Sequence, residues 1–117
     1  MSSPQQRLKN IKNAIEDIEF ILHSVDFKIT QAIEDKILKP AIRMHIIKIA
    51  EQFNKLKEDN AFDALEKFSS NDLKGISAVR NFIAHDYDSV DDSIIEDVLR
   101  INMPIIKAIV TKELNFS

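Results

Sequence analysis

The chain has 117 residues, of which 44% are hydrophobic and 30% are charged, and its formal net charge at pH 7 is −3. This length can bury one hydrophobic core but not two, so we expect a single domain over residues 1–117. The absence of cysteine excludes disulfides and thiolate metal sites, and the acidic charge argues against a protein that coats nucleic acid through a general positive surface.

The first predicted element is an amphipathic helix. Ser3 and Gln6 have the spacing of a capping box, and Pro4 suits the first helical position. Apolar residues then recur at steps of three and four, which predicts one buried face: Leu8, Ile11, Ile15, Ile18, Leu22 and Val25. Residues 24–28 lack this pattern and are predicted to form a turn.

A second helical pattern starts near Thr30, which is a candidate N-cap, and runs through Ile33 and Ile37. It continues in an apolar series at helical spacing: Ile42, Ile46, Ile49, Phe53 and Leu56. Pro40 interrupts this pattern. Because proline removes a backbone donor and collides with the preceding turn, it either kinks one long helix or separates two helices.

The rest of the chain also has a helical pattern. Residues 61–68 predict a short helical piece, and residues 69–72 predict a loop and cap that open the next helix, which residues 88–92 close. Ser93 with Glu96 is a candidate capping box for a last helix from about Ile94 towards Leu114, with a kink at Pro104. With only one glycine and three prolines, we expect an all-α, up-and-down bundle of four to five helices.

The densest group of polar residues lies in residues 80–87, which read Arg-Asn-Phe-Ile-Ala-His-Asp-Tyr. At about 100° per residue, two helix faces are predicted. The core-facing one consists of Ile76, Val79, Phe82 and Ile83, and the polar one of Arg80, Asn81, Ala84, His85 and Tyr87. Guanidinium suits phosphate charge and imidazole titrates near neutral pH, so this polar face suits work on a phosphodiester. A two-fold homodimer would bring two such faces together.

Each motif residue also has a purely structural interpretation. Arg80 can pair with Asp86 or another carboxylate, His85 can interact with the last carbonyls of its helix, and Tyr87 can be a half-buried packing residue. The residues alone leave these alternatives open.

The spacing of Arg80 and His85, with four residues between them, resembles the motif of the HEPN superfamily, and the following Asp86 and Tyr87 resemble its HepT-like branch. Residues 41–56 are similar to the inner helix of that family. The resemblance implies a metal-independent and cofactor-free endoribonuclease toxin. It also implies a minimal nucleotidyltransferase as the antitoxin partner, and adenylylation of Tyr87 by that partner.

RNA cleavage of this kind needs few groups, because the 2′-hydroxyl of the substrate is the nucleophile and the product carries a cyclic phosphate. We predict His85 as the general acid and base, Arg80 as the group that stabilises the transition state, and Asn81 as an orienting or substrate-binding group. Lys39 and Arg43 are the predicted RNA contacts, on a basic stripe with Lys36 whose alternative role is a solvated helix face.

An acidic run follows His85 and contains no lysine or arginine: Asp86, Asp88, Asp91, Asp92, Glu96 and Asp97. We interpret it as turn and cap oxygens rather than a metal site, because its spacing matches no complete metal-binding loop. No secretion signal or membrane span is evident, so a cytoplasmic location is expected. Two other functions remain open: a non-catalytic helical module that binds a nucleotidyltransferase, and an accessory subunit that binds nucleotide.

Overall fold

The computed structural model describes residues 3–85 and 92–115, and for residues 82–85 it describes the backbone alone. These ranges contain helices and no strand, which confirms the all-α expectation. The helices are α1 (Pro4–His23), α2 (Ile29–Glu34), α3 (Leu38–Glu58), α4 (Phe62–Leu65), α5 (Ser70–His85), α6 (Asp92–Asp97) and α7 (Met103–Asn115), and a π-helical turn (Val98–Asn102) joins α6 to α7.

The start and end of α1 follow the prediction. The Ser3 hydroxyl accepts a hydrogen bond from the Gln6 N–H at 3.1 Å, and Pro4 occupies the first turn, where a missing N–H costs nothing. After His23 the chain turns through residues 24–28. Phe27 takes a left-handed backbone conformation there, with φ of 60°, and its N–H donates to the Leu22 carbonyl at 2.8 Å.

The break between α2 and α3 precedes Pro40. Asp35 Oδ1 accepts hydrogen bonds from the N–H groups of Leu38 at 2.9 Å and Ile37 at 2.8 Å, and these two bonds lower the pKa of the Asp35 carboxyl. Pro40 therefore lies in the first turn of α3, where no intrahelical donor is required. The prediction of Thr30 as a cap is wrong, because Lys28 precedes α2 and Thr30 lies inside it.

The last predicted helix is divided by the π-helical turn. The Met103 N–H donates to the Val98 carbonyl, five residues earlier, and Pro104 has no N–H to offer the Arg100 carbonyl. The discontinuity expected at Pro104 is therefore a widened turn. The predicted Ser93 cap is wrong, because Ser93 lies within α6, after Asp92.

The long helices close into a bundle. α1 packs on α3 and α7, α3 packs on α5, and α5 packs on α6, the π-helical turn and α7. α1 and α3 are antiparallel, since Arg7 pairs with Asp59 at 3.1 Å while Asp17 lies 3.9 Å from His45. Fully buried side chains from all of these elements form the core, among them Ile11, Ile18, Ile42, Ile46, Leu56, Val79, Ile95 and Ile106.

The core fixes which face of α5 meets solvent. Ile76 and Val79 are buried as predicted, whereas the side chains of Phe82 and Ile83 lie outside the described part. Across residues 3–85 and 92–115, no helix is both long and apolar enough to span a bilayer.

Candidate functional site

The helix that carries the motif is anchored at its first turn. Ser69 precedes α5, and its hydroxyl accepts from the Asp72 N–H at 3.2 Å while donating to Asp72 Oδ2 at 2.9 Å. Asp72 Oδ1 accepts a hydrogen bond from the Asn102 side-chain amide at 2.9 Å. Asp72 is buried, with 5% of its surface exposed, and buried carboxylate oxygens need hydrogen-bond donors. Both of its oxygens have one. The predicted cap is thus also a link to the π-helical turn.

Gly75 lets the π-helical turn approach α5 closely. A Cβ atom at this position would lie 2.8 Å from Asn102 Oδ1 and 3.1 Å from Asn102 Cγ. A glycine within a helix costs about 1 kcal/mol relative to alanine, and the close approach of Asn102 accounts for it here. The sequence analysis missed Asn102 and Gly75. The signal available was the chain's only glycine, placed inside a helical pattern.

Arg80 and Asn81 lie on the solvent side of α5. Within the described ranges, Arg80 forms no ion pair, so its guanidinium is not committed to any carboxylate placed there. The backbone of α5 is described as far as His85, one turn after Asn81. The side chain of His85 and all of Asp86 and Tyr87 lie outside the described residues, and so do the pairing of Arg80 with Asp86 and the packing of Tyr87.

The two predicted RNA contacts lie one turn apart on α3, the helix that packs against α5. Lys39 Nζ lies 2.7 Å from Asp92 Oδ1, at the start of α6. Arg43 is half-buried, and its Nε is buried with no hydrogen-bond partner in the described part of the chain. Lys36 lies in the turn before α3, so the stripe on the helix itself consists of Lys39 and Arg43.

Two of the described acidic residues after the motif, Asp92 and Glu96, form ion pairs within the chain. Glu96 Oε1 accepts from Arg100 Nε at 2.9 Å and from the Thr30 hydroxyl at 3.2 Å, and Arg100 also donates to Thr30 at 3.2 Å. This triad ties α2 to α6 and the π-helical turn. Among residues with described side chains, no three histidine, aspartate or glutamate residues are grouped closely enough to hold a metal ion.

A groove of about 610 Å³ lies at the other end of the bundle, between the start of α1 and α4. Its lining includes Leu8, Ala61, Phe62, Lys67 and Glu113, and none of the predicted site residues. The groove therefore does not mark the motif helix.

The all-α bundle, with the motif arginine on the exposed face of α5, is consistent with the HEPN class of helical domains. The chain belongs to the ribonuclease HepT-like family, whose family model matches residues 11–113. This membership supports a ribonuclease, and hence an RNA substrate. No curated protein and no solved structure matches the chain.

Proposed function

We propose that the chain is a metal-independent endoribonuclease toxin that cleaves RNA through its 2′-hydroxyl and leaves a cyclic phosphate. The observation that carries this proposal is the match of residues 11–113 to the ribonuclease HepT-like family. The enzyme is a single domain over residues 1–117 and acts in the cytoplasm without a cofactor.

Three motif residues carry the chemistry. The imidazole of His85 takes the proton of the 2′-hydroxyl and returns a proton to the leaving oxygen, which suits a group with an unperturbed pKa of about 6.5. Arg80 stabilises the extra negative charge on the phosphorus oxygens, and Asn81 orients the substrate. The exposure of Arg80 and Asn81 supports these roles, because both side chains are accessible to a phosphate.

The active unit is a homodimer. One chain has one motif arginine and one motif histidine, whereas two α5 helices across a two-fold axis supply two of each to a shared cleft. On the neighbouring helix α3, Lys39 and Arg43 bind the RNA backbone. Arg43 is half-buried and forms no ion pair in the described part of the chain, which leaves its guanidinium charge for a phosphate.

The partner that neutralises the toxin is a minimal nucleotidyltransferase, which adenylylates Tyr87. The modification adds a negatively charged phosphate and a bulky adenosine two residues after His85. Both the charge and the volume then exclude RNA from the cleft.

The test is RNA cleavage by the purified chain in the presence of a metal chelator. We expect cut RNA whose 3′ ends resist ligation and extension until the cyclic phosphate is removed, and we expect Arg80→Ala and His85→Ala each to abolish cutting while the bundle stays folded. Undiminished cutting by both variants would reject the assigned roles.

The same preparation separates the alternatives. A non-catalytic interaction module binds a nucleotidyltransferase and cuts no RNA under any condition, and an accessory subunit binds ATP on its own. Light scattering of the chain tests the dimer, and mass spectrometry after incubation with a minimal nucleotidyltransferase and ATP tests the modification of Tyr87.

A further inference from the structure

The cation predicted to meet RNA is already in contact with an acid of the same chain. Lys39 Nζ lies 2.7 Å from Asp92 Oδ1, and the two side chains are 26% and 48% exposed. Lys39 belongs to α3 and Asp92 begins α6, so the contact joins two helices that are distant in sequence. Both side chains are thus partly exposed, although Asp92 Oδ1 itself is enclosed, so another anion reaches Lys39 by displacing this carboxylate.

This ion pair is close but poorly aligned. Asp92 Oδ1 accepts no hydrogen bond from any group in residues 3–81 or 92–115, although the Lys39 ammonium is within 2.7 Å. A contact that rests on charge alone between two partly exposed side chains contributes little stability. Another anion can therefore replace the carboxylate at small cost.

Arg43 gives that replacement a second donor. It lies one turn from Lys39 on the same face of α3, is half-buried, and forms no ion pair with any described residue. A phosphate offers several acceptor oxygens, whereas Asp92 contacts Lys39 and forms no ion pair with Arg43. Asp92 neutralises one of these two cations, whereas a phosphodiester has enough oxygens to bind both.

We propose that Lys39 and Arg43 form one phosphate site for the RNA backbone, and that Asp92 occupies the Lys39 half of this site until RNA displaces it. The proposal rests on the proposed ribonuclease function and adds a regulatory residue to it. Asp92 thereby lowers the affinity for RNA and makes binding weak unless the phosphate engages both cations.

The experiment measures binding of a labelled, uncleavable 2′-O-methyl RNA by fluorescence anisotropy over a series of salt concentrations. Asp92→Asn is compared with Asp97→Asn, which removes the same charge from an exposed position on the same helix. We expect Asp92→Asn to tighten binding by about two- to fivefold, the value of one exposed ion pair. The slope of log affinity against log salt should stay nearly the same, because RNA engages Lys39 in both proteins once Asp92 is displaced.

The same comparison is then repeated in the Lys39→Gln variant. In that variant, Asp92→Asn should change RNA binding no more than Asp97→Asn does, because the lysine that pairs with Asp92 is absent. Equal gains from Asp92→Asn and Asp97→Asn in the parent chain, or a gain from Asp92→Asn that persists with Lys39→Gln, would overturn the proposal.

Parallel cleavage assays separate this proposal from the ribonuclease function. If the parent chain cuts RNA to cyclic phosphate ends but the two acid variants bind RNA equally, the competition is rejected and the nuclease function stands. If no variant binds or cuts RNA while thermal melting shows each one folded, both are rejected.

Discussion

At the start of α5, polar side chains bond to one another, whereas further along the same helix they face solvent. Asp72 is buried and takes hydrogen bonds from Ser69 and Asn102. Arg80 and Asn81 are exposed, and Arg80 forms no ion pair with the part of the chain that the structure describes. Because a buried polar group without a partner is costly, the first set must be satisfied internally, while the second set remains available to a ligand. One helix thus contains a structural region and a candidate binding region.

The strongest change that we expect is a loss of RNA cleavage when the exposed part of α5 is altered. Arg80→Ala should lower the rate of RNA cleavage by about 10²–10³-fold, the usual cost of removing one donor that stabilises a transition state, without lowering the melting temperature. Single-turnover cleavage and thermal unfolding are the measurements.

The matched control is Arg100→Ala. Arg100 is also exposed, but it pairs with Glu96 at 2.9 Å. Its removal should cost about 0.5 kcal/mol of stability and leave the rate nearly unchanged. An equal loss of rate in the two variants would show that the effect of Arg80 is one of general charge.

A loss of stability is expected when the buried contacts at the start of α5 are altered. Asn102→Ala removes the donor to Asp72 Oδ1 and should lower the free energy of unfolding by about 2 kcal/mol, because a buried carboxylate oxygen loses its partner. Urea unfolding measures the loss, and the cleavage rate per folded molecule should be kept. Asn54→Ala is the control, since Asn54 is exposed on α3 and bonds only to Glu58 in the described residues. A similar cost in the control would remove the special role of Asn102.

The sign of the stability change at Gly75 should depend on the side chain at position 102. Gly75→Ala gains helix propensity but places a Cβ 2.8 Å from Asn102 Oδ1, so the amide must leave Asp72. We expect a net loss of about 1 kcal/mol in the parent chain and a net gain of up to about 1 kcal/mol in the Asn102→Ala background. Urea unfolding of the four proteins measures both values. The same sign in both backgrounds would contradict the close-approach explanation.

The smallest effect concerns a histidine outside both regions. Burial lowers the pKa of His45, Lys48 lowers it further, and Asp17, 3.9 Å away, opposes both. In the unfolded chain the pKa of His45 is about 6.5, and in the folded chain it is lower. The stability that neutral His45 contributes is therefore complete above the unfolded-state pKa and is lost as pH falls towards the folded-state pKa.

His45→Gln should therefore lose less stability than the parent chain between neutral and mildly acidic pH. Urea midpoints at the two pH values measure the difference. His23→Gln, on the exposed end of α1, is the control. Parallel pH profiles of the parent chain and His45→Gln would assign the acid sensitivity to other groups.

Sequence patterns predicted the helices well where a helix end is fixed by hydrogen bonds between residues close in sequence. Ser3 and Ser69 each accept a hydrogen bond from a backbone N–H three residues later, and both lie where the sequence predicted a helix start. The loop predicted over residues 69–72 is wrong beyond Ser69, because α5 begins at Ser70. The family and the all-α class also followed from sequence, because the residues that carry them are adjacent or at fixed helical spacing.

The errors arose where a distant contact overrides a local preference. Thr30 has the chemistry of a cap, but its hydroxyl donates to Glu96, and Lys28 precedes the helix instead. The link between Asp72 and Asn102 joins positions thirty residues apart, and no local pattern predicts it. For the candidate site, the sequence predicted the exposure of Arg80 and Asn81 through periodicity alone, while the ion pair of Lys39 with Asp92 required the tertiary structure.

The π-helical turn at Val98–Asn102 marks a place where the chain can lose a residue. Its wide ring, closed by a hydrogen bond to the fifth residue back, holds one residue more than a turn of regular α-helix. Deleting one residue here would leave an α-helical turn of nearly the same rotation, so Ile95 on one side and Ile106 on the other would both stay on the core side. The same deletion near the start of α7 would instead rotate the rest of that helix by about 100° and carry Ile106 and Val110 out of the core.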